Sequence, residues 1–221
     1  NQAGGTAITN TTSGRTLIYA NNPTTSSLGG LSYEPVYNKT LAANAPGTIT
    51  QTGNRILYSL APTITFTADN LSRTYGSANP TLTFTASGLV GGDTAAQAFA
   101  GAPTLATTAL SSDDVGNYAI TAAVGSVVAS DYDYQITFAP GTLTVDPAPL
   151  TIRGDDQSRS FGVANPTLTA SFTGLVNGDT SAVFPNLTIT TVADLNSPDG
   201  TYAIVPAGAG LPLPSGAGLS I

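Results

Sequence analysis

From Ile64 onward the chain alternates apolar and polar residues over short runs. Ile64, Phe66 and Ala68 form one set, Leu82, Phe84 and Ala86 a second, Tyr118, Ile120 and Ala122 a third, and Tyr134, Ile136 and Phe138 a fourth; Leu143 and Val145 complete the series. A period of two places successive side chains on opposite faces of a pleat, so these runs predict half-buried strands. Many intervening positions are Thr, a β-branched residue that suits a solvated pleat. Before Ile64 the pattern differs. Gly14–Leu31 ("GRTLIYANNPTTSSLGGL") and Gly53–Pro62 ("GNRILYSLAP") carry short apolar strands among Asn, Thr, Ser and Gly. Residues 1–61 are therefore expected to be a β-rich segment. It either supplies the last rungs or cap of a β-solenoid or adds strands to the module that begins near Ile64.

The alternation recurs because the sequence does. "SRTYGSANPTLT" (Ser72–Thr83) returns as "SRSFGVANPTLT" (Ser158–Thr169), 86 positions later with three differences in twelve. Gly88-Leu89-Val90-Gly91-Gly92-Asp93-Thr94 matches Gly174-Leu175-Val176-Asn177-Gly178-Asp179-Thr180, and Gly116-Asn117-Tyr118-Ala119-Ile120 matches Gly200-Thr201-Tyr202-Ala203-Ile204 at an offset of 84. A period of that length exceeds a solenoid rung and suits tandem globular modules. The fold class expected is all-β, with small sandwich-type modules, Ig-like or β-grasp-like, in series. The domains are 1–61, 62–146 and 149–221, and "VDPAPLTI" forms a proline-stiffened joint between the last two.

The repeated residues read as turn chemistry. Gly76 and Gly162 supply positive φ, and Pro80 and Pro166 hold Asn79 and Asn165 extended. Tyr75 and Phe161 are placed to plug the end of a core. Asp93 and Asp179 are expected to cap single helical turns over Thr94–Phe99 and Thr180–Val183. Arg73 and Arg159 are expected to stack on Tyr75 or Phe161, or to pair with Asp69 or Asp155.

Composition narrows the function. Only 9% of residues are charged, the net charge is −7, and the six cations (Arg15, Lys39, Arg55, Arg73, Arg153, Arg159) are scattered, so no cluster exists to neutralise phosphates and nucleic-acid binding is not expected. No apolar run approaches the length of a membrane helix. Cys, His, Met and Trp are absent, which removes disulfides, thiolate chemistry and His-based triads or zinc sites. The chain opens at Asn1 rather than Met and is read as a segment of something larger.

Candidate chemistry is sparse. Asp113-Asp114, Asp131 with Asp133, and Asp155-Asp156 are the acidic clusters, none in the D-x-[DN]-x-[DN]-G pattern of a calcium loop. Asp155 and Asp156, nearest the joint, are the calcium candidates; solvated loop carboxylates are the simpler account. No pair of acids sits in a word suggestive of a glycosidase cleft, so no enzymatic activity and no catalytic residues are expected. Lys39, the single lysine, lies outside both repeats, which removes Lys–Asn cross-links there. Sequons at Asn10, Asn38, Asn70 and Asn186 are expected by chance in a chain this rich in Asn, Thr and Ser.

The words R-x-[YF]-G-x-A-N-P and G-L-V-x-G-D-T, with "GNYAIT" and "DYQITFAPGTLTV", resemble the MBG-type (YGX/YDG) repeats of large bacterial surface and secreted proteins. The segment before them is similar to the one preceding such repeats in filamentous-haemagglutinin-like, two-partner-secreted adhesins. The resemblance implies export across a Gram-negative outer membrane, a β-helical shaft upstream and further repeats of the same chain downstream. It brings no catalytic residues. The function expected is a stalk or spacer of an extracellular adhesin or filament. The alternative is a module that binds glycan or host surface directly, marked by tyrosines such as Tyr132 and Tyr134 beside Tyr19 or Tyr33 on an open face. The second repeat is read as lacking its last strand, a counterpart of "FAPGTLTV". That strand is expected either beyond Ile221 or from another subunit by strand addition.

Overall fold

The computed structural model describes residues 7–10, 14–23, 33–208 and 217–220. In chain order the elements are β1 (Ala7–Asn10), β2 (Thr16–Ala20), β3 (Glu34–Val36), a 3-10 turn (Pro46–Thr48), β4 (Arg55–Tyr58), β5 (Thr63–Ala68), β6 (Leu71–Thr74) and β7 (Phe84–Ser87). One helical turn, α1 (Ala95–Ala98), precedes β8 (Phe99–Ala100), β9 (Thr104–Thr107), β10 (Gly116–Ala123), β11 (Val128–Ala129), β12 (Gln135–Ala139) and β13 (Gly141–Asp146). The rest are β14 (Thr151–Gly154), β15 (Gln157–Ser158), β16 (Ala170–Thr173), a 3-10 turn (Ser181–Val183), β17 (Thr188–Thr191), β18 (Thr201–Ala207) and β19 (Ala217–Ser220). The protein is all-β, as the alternation predicts. Two compact units comprise Asn1–Ser72, Pro80–Ala109 and Asn117–Thr144 in one, and Arg73–Asn79, Leu110–Gly116 and Val145–Ile221 in the other.

In the first unit, the amino-terminal segment builds its own sheet in the order β1-β2-β4-β3. β1 and β2 are antiparallel, while β2 and β3 both run parallel to β4, with Ile18 and Pro35 each opposite Ile56. All four residues of β4 and four of five in β2 are buried, because both faces of this sheet are covered. One face packs Leu17, Tyr19 and Leu57 on Ile49. The other joins Ile18, Ala20, Ile56 and Tyr58 to Ile64, Phe66, Val127, Tyr132 and Tyr134 in one continuous core. The amino-terminal sheet and the first repeat thus share an interior.

The first repeat keeps the period of two. β5 shows alternating burial with Ile64, Phe66 and Ala68 inward. It pairs in parallel with β12, Phe66 opposite Phe138, and antiparallel with β7, Phe66 opposite Ala86. Around Phe66, Phe99 lies edge-on at 4.8 Å and Phe138 stacks at 5.8 Å, geometries that add to area burial. A second sheet, β6-β13-β10-β9, places Ile120 and Leu143 against Ala68 and Ala109.

In the second unit the plan recurs as β14-β16 and β15-β19-β18-β17. Gly154 stands where the first repeat has Ala68, and a Cβ there would come within 2.8 Å of Ile204 Cγ2, so the smallest residue fits the approach of two strands. The carboxy-terminal position corrects the sequence expectation. β19 pairs in parallel with β15 and antiparallel with β18, Tyr202 opposite Leu219, and so holds the place that β13 holds between β6 and β10. The edge expected to be empty is filled from within the chain. "AGLSI" (Ala217–Ile221) matches "GTLTV" with Leu219 for Leu143 and Ile221 for Val145, a correspondence masked by the Gly- and Pro-rich run before it.

Candidate functional site

The repeated word builds the same device twice. Arg73 Nε donates to Asn79 Oδ1 at 2.8 Å and its Nη1 to the Thr74 carbonyl at 3.3 Å, while Nη2 reaches the Leu110 carbonyl. Arg159 repeats this on Asn165 Oδ1 at 2.7 Å, the Ser160 carbonyl at 3.2 Å and the Asp194 carbonyl. A planar guanidinium is needed, because its donors fan out at fixed angles and fasten the turn to a loop more than thirty residues on. The expected stacking and carboxylate pairing are replaced by this clamp. Asp69 instead accepts the Thr85 hydroxyl at 2.8 Å, and Asp155 accepts those of Thr169 and Ser171, both at 2.6 Å. Side-chain bonds from Thr83 and then Thr85 hold the Asp69 carboxyl below the usual carboxylate range, and those from Ser171 and Thr169 do the same for Asp155. Pro80 and Pro166 follow the clamped asparagines, and Asn165 Nδ2 also donates to the Ala193 carbonyl at 2.6 Å.

Asp93 is not the helix cap expected of it. The cap is Thr94, whose N–H and hydroxyl donate to Gln97 Oε1 at 2.9 and 2.8 Å; in the second repeat Thr180 takes the place expected of Asp179, its hydroxyl oxygen accepting from the Ala182 N–H at 3.3 Å. Asp93 and Asp179 donate their N–H groups back to the Val90 and Val176 carbonyls at 3.0 and 2.9 Å, closing the same turn in both copies. The Asp93 carboxylate faces a tyrosine cluster: Tyr37 and Tyr134 each donate to its Oδ2 at 2.7 Å. Tyr37 lies edge-on to Tyr134 at 4.8 Å and stacks on Tyr58 at 5.6 Å. Burial, with the bond to Asp93 adding to it, raises Tyr37 far above the ordinary phenol range and Tyr134 to about 12. For Tyr134 a bond from the Val90 N–H opposes the rise.

Beside this cluster lies a cleft of about 610 Å³, whose lining includes Tyr33, Glu34, Tyr37, Asp93, Gln97 and Tyr132. Tyr37, Tyr58 and Tyr132 of its lining are buried, as are Tyr134 and Tyr19, and of the four tyrosines expected to mark a glycan-binding face Tyr33 alone is half-buried. The cluster escaped the sequence reading because Tyr37 and Asp93 lie 56 residues apart. Two ion pairs escaped it likewise, Arg55–Glu34 at 2.8 Å and Lys39–Asp133. The acidic pairs are otherwise engaged locally. Asp113 accepts from the Leu110 N–H at 2.8 Å, and Asp156 pairs with Arg153 at 3.0 Å. Among the described residues no group of three or more acidic side chains gathers to hold a metal, at Asp155-Asp156 or elsewhere.

A family model described as MBG domain (YGX type) matches residues 64–144 and 150–212, one span for each repeat. No curated protein and no solved structure matches the chain.

Proposed function

The chain belongs to the MBG domain (YGX type) family, which matches well over half of its length, and from that premise we propose that it is a structural spacer of an exported bacterial surface protein. The observation that carries this reading is the pair of arginine clamps. The residues the two copies share are engaged in holding turns to loops, in the same bonds, and a part repeated for its architecture serves by being repeated. The role is mechanical and non-catalytic. It sits on the secreted or outer face of a Gram-negative cell, in a stalk of the filamentous-haemagglutinin-like, two-partner-secreted kind, contributing to adhesion and biofilm. The test is a series of chains with added repeats measured by small-angle scattering. Maximum dimension rises by a constant increment per repeat if the module is a spacer, and an unchanged dimension refutes it.

The cleft beside Asp93 favours a second reading, direct recognition of a glycan. Tyr33 offers a half-exposed ring, and Gln97 and Glu34 offer amide and carboxylate groups. Binding on a glycan array that is lost in Tyr33→Ala would support it; no binding by the native chain would refute it.

A further inference from the structure

The same word stands in two different environments. In the first copy the turn is covered. A Cβ on Gly76 (φ +81°) would lie 2.7 Å from Val176 Cγ2. Asn177 Nδ2 donates to the Ser111 carbonyl at 3.2 Å. Tyr75 and Val115 line an apolar cavity of about 360 Å³ with Leu175, Val176 and Phe184. All of these residues belong to the second unit. What covers Tyr75-Gly76 is therefore the Gly-Leu-Val-Asn-Gly-Asp-Thr turn, the other word of the repeat.

In the second copy the turn has the same shape and, among the described residues, no cover. Gly162 is at φ +77°, and the Val163 N–H closes on the Ser160 carbonyl at 3.2 Å as the Ser77 N–H closes on that of Thr74 at 3.0 Å. Yet among the described residues nothing lies within 4 Å of a Cβ placed on Gly162. Phe161, Val163 and Leu195 are 64%, 53% and 50% exposed. Val163 and Leu195 stand where the first copy has Ser77 and Ser111, and Asp199 stands where it has Val115. Large apolar side chains on an exposed turn mark an interaction site.

We propose that Phe161, Gly162, Val163 and Leu195 form the acceptor for the Leu-Val-x-Gly-Asp-Thr turn of a further YGX repeat. The proposal rests on the spacer reading and extends it to the joint between repeats. The occupant is not a turn of this chain or of a second copy, because both turns are engaged. Leu89 and Val90 pack on the core of the first unit, and a Cβ on Gly91 would lie 3.1 Å from Pro23 and 3.2 Å from the Tyr37 hydroxyl. Val176 faces Gly76. Gly162, lacking a Cβ, leaves room for the incoming valine as Gly76 does for Val176.

The chain has no tryptophan, so Phe161→Trp gives a single tryptophan, excited at the long-wavelength edge where tyrosine does not absorb. It is placed in the 221-residue chain and in a longer chain that repeats residues 146–221 after Ile221, a join that copies Val145-Asp146. In the longer chain, emission from position 161 of the first copy should move to shorter wavelength and acrylamide quenching should fall severalfold. Val176→Asp in the added copy should return both to the values of the 221-residue chain. So should Gly162→Asn in the first copy, a change that an exposed turn at positive φ tolerates and that keeps the added repeat intact. Equal quenching in both chains, with the added repeat folded by circular dichroism, overturns the proposal. Protection of position 161 in the 221-residue chain as its concentration rises overturns the choice of occupant. The spacer reading fails by a different measurement, an unchanged maximum dimension in scattering.

Discussion

Replacing Arg73 by alanine tests whether the clamp, rather than the charge, holds the repeated turn. The side chain is 6% exposed and makes two short charge-assisted bonds, to Asn79 Oδ1 and the Leu110 carbonyl, and a longer one of 3.3 Å to the Thr74 carbonyl. At roughly 1.5–3 kcal/mol for each short bond from a charged donor, with little from the third, Arg73→Ala should cost about 3–6 kcal/mol. Arg159 makes the same contacts, but two of its three bonds are solvent-exposed. Water replaces much of what is lost there, so Arg159→Ala should cost only about 1–2 kcal/mol. Melting temperatures should fall by roughly 2–4 °C per kcal/mol for a chain of this size. Arg73→Lys keeps the charge and loses the fork, and should recover less than half of the alanine deficit. Urea midpoints followed by circular dichroism give the comparison. Equal losses at Arg73 and Arg159, or full recovery by lysine, would refute the argument.

Other outcomes rest on the same geometry. Tyr37 and Tyr134 are raised above the ordinary phenol pKa, so the stability they contribute is complete below about pH 10 and is lost as pH climbs through the folded values. Phenolate absorbance should therefore lag that of free tyrosine, with alkaline unfolding near pH 12, and Tyr134→Phe should remove part of the lag; a titration identical to free tyrosine would sink the account. Tyr37→Phe should cost about 1–2 kcal/mol, and the double variant with Tyr134→Phe should be non-additive, because both hydroxyls serve one carboxylate oxygen. Gly88→Ala and Gly174→Ala should each cost more than about 2 kcal/mol, since a Cβ there would collide with the carbonyl oxygens of Thr63 and Pro149 from a backbone at φ +100° and +105°. Native-like urea midpoints for either would refute the close approach. Calcium and chelator should leave the melting temperature unchanged, because Asp155 is bonded to Thr169 and Ser171 and Asp156 to Arg153; a calcium-dependent rise would restore the metal site.

The strands of both repeats were legible because their signal is local. In β5 and β13 alternate residues are buried as the alternation predicts. Asp93 shows where local reading ends. An aspartate before Thr-Ala-Ala-Gln looks like a cap, yet Thr94 takes that role because its own neighbour Gln97 completes the bond, and Asp93 is left to the tyrosines. The clamp was half legible: the recurrence of Arg and Asn in one word marked them, but the acceptors at Leu110 and Asp194 are backbone carbonyls, which carry no identity in a sequence.

The sequence by itself determined the all-β class, the two repeats and the turns between strands, because pleat period, glycine φ and proline φ are properties of a residue and its immediate neighbours. Only the tertiary structure decided that the amino-terminal sheet shares a core with the first repeat, that Ala217–Ser220 completes the second sheet, and that Gly76 is covered while Gly162, among the described residues, is bare. Those outcomes depend on which apolar surfaces meet across tens to a hundred residues, and burial depends on the partner as much as on the residue.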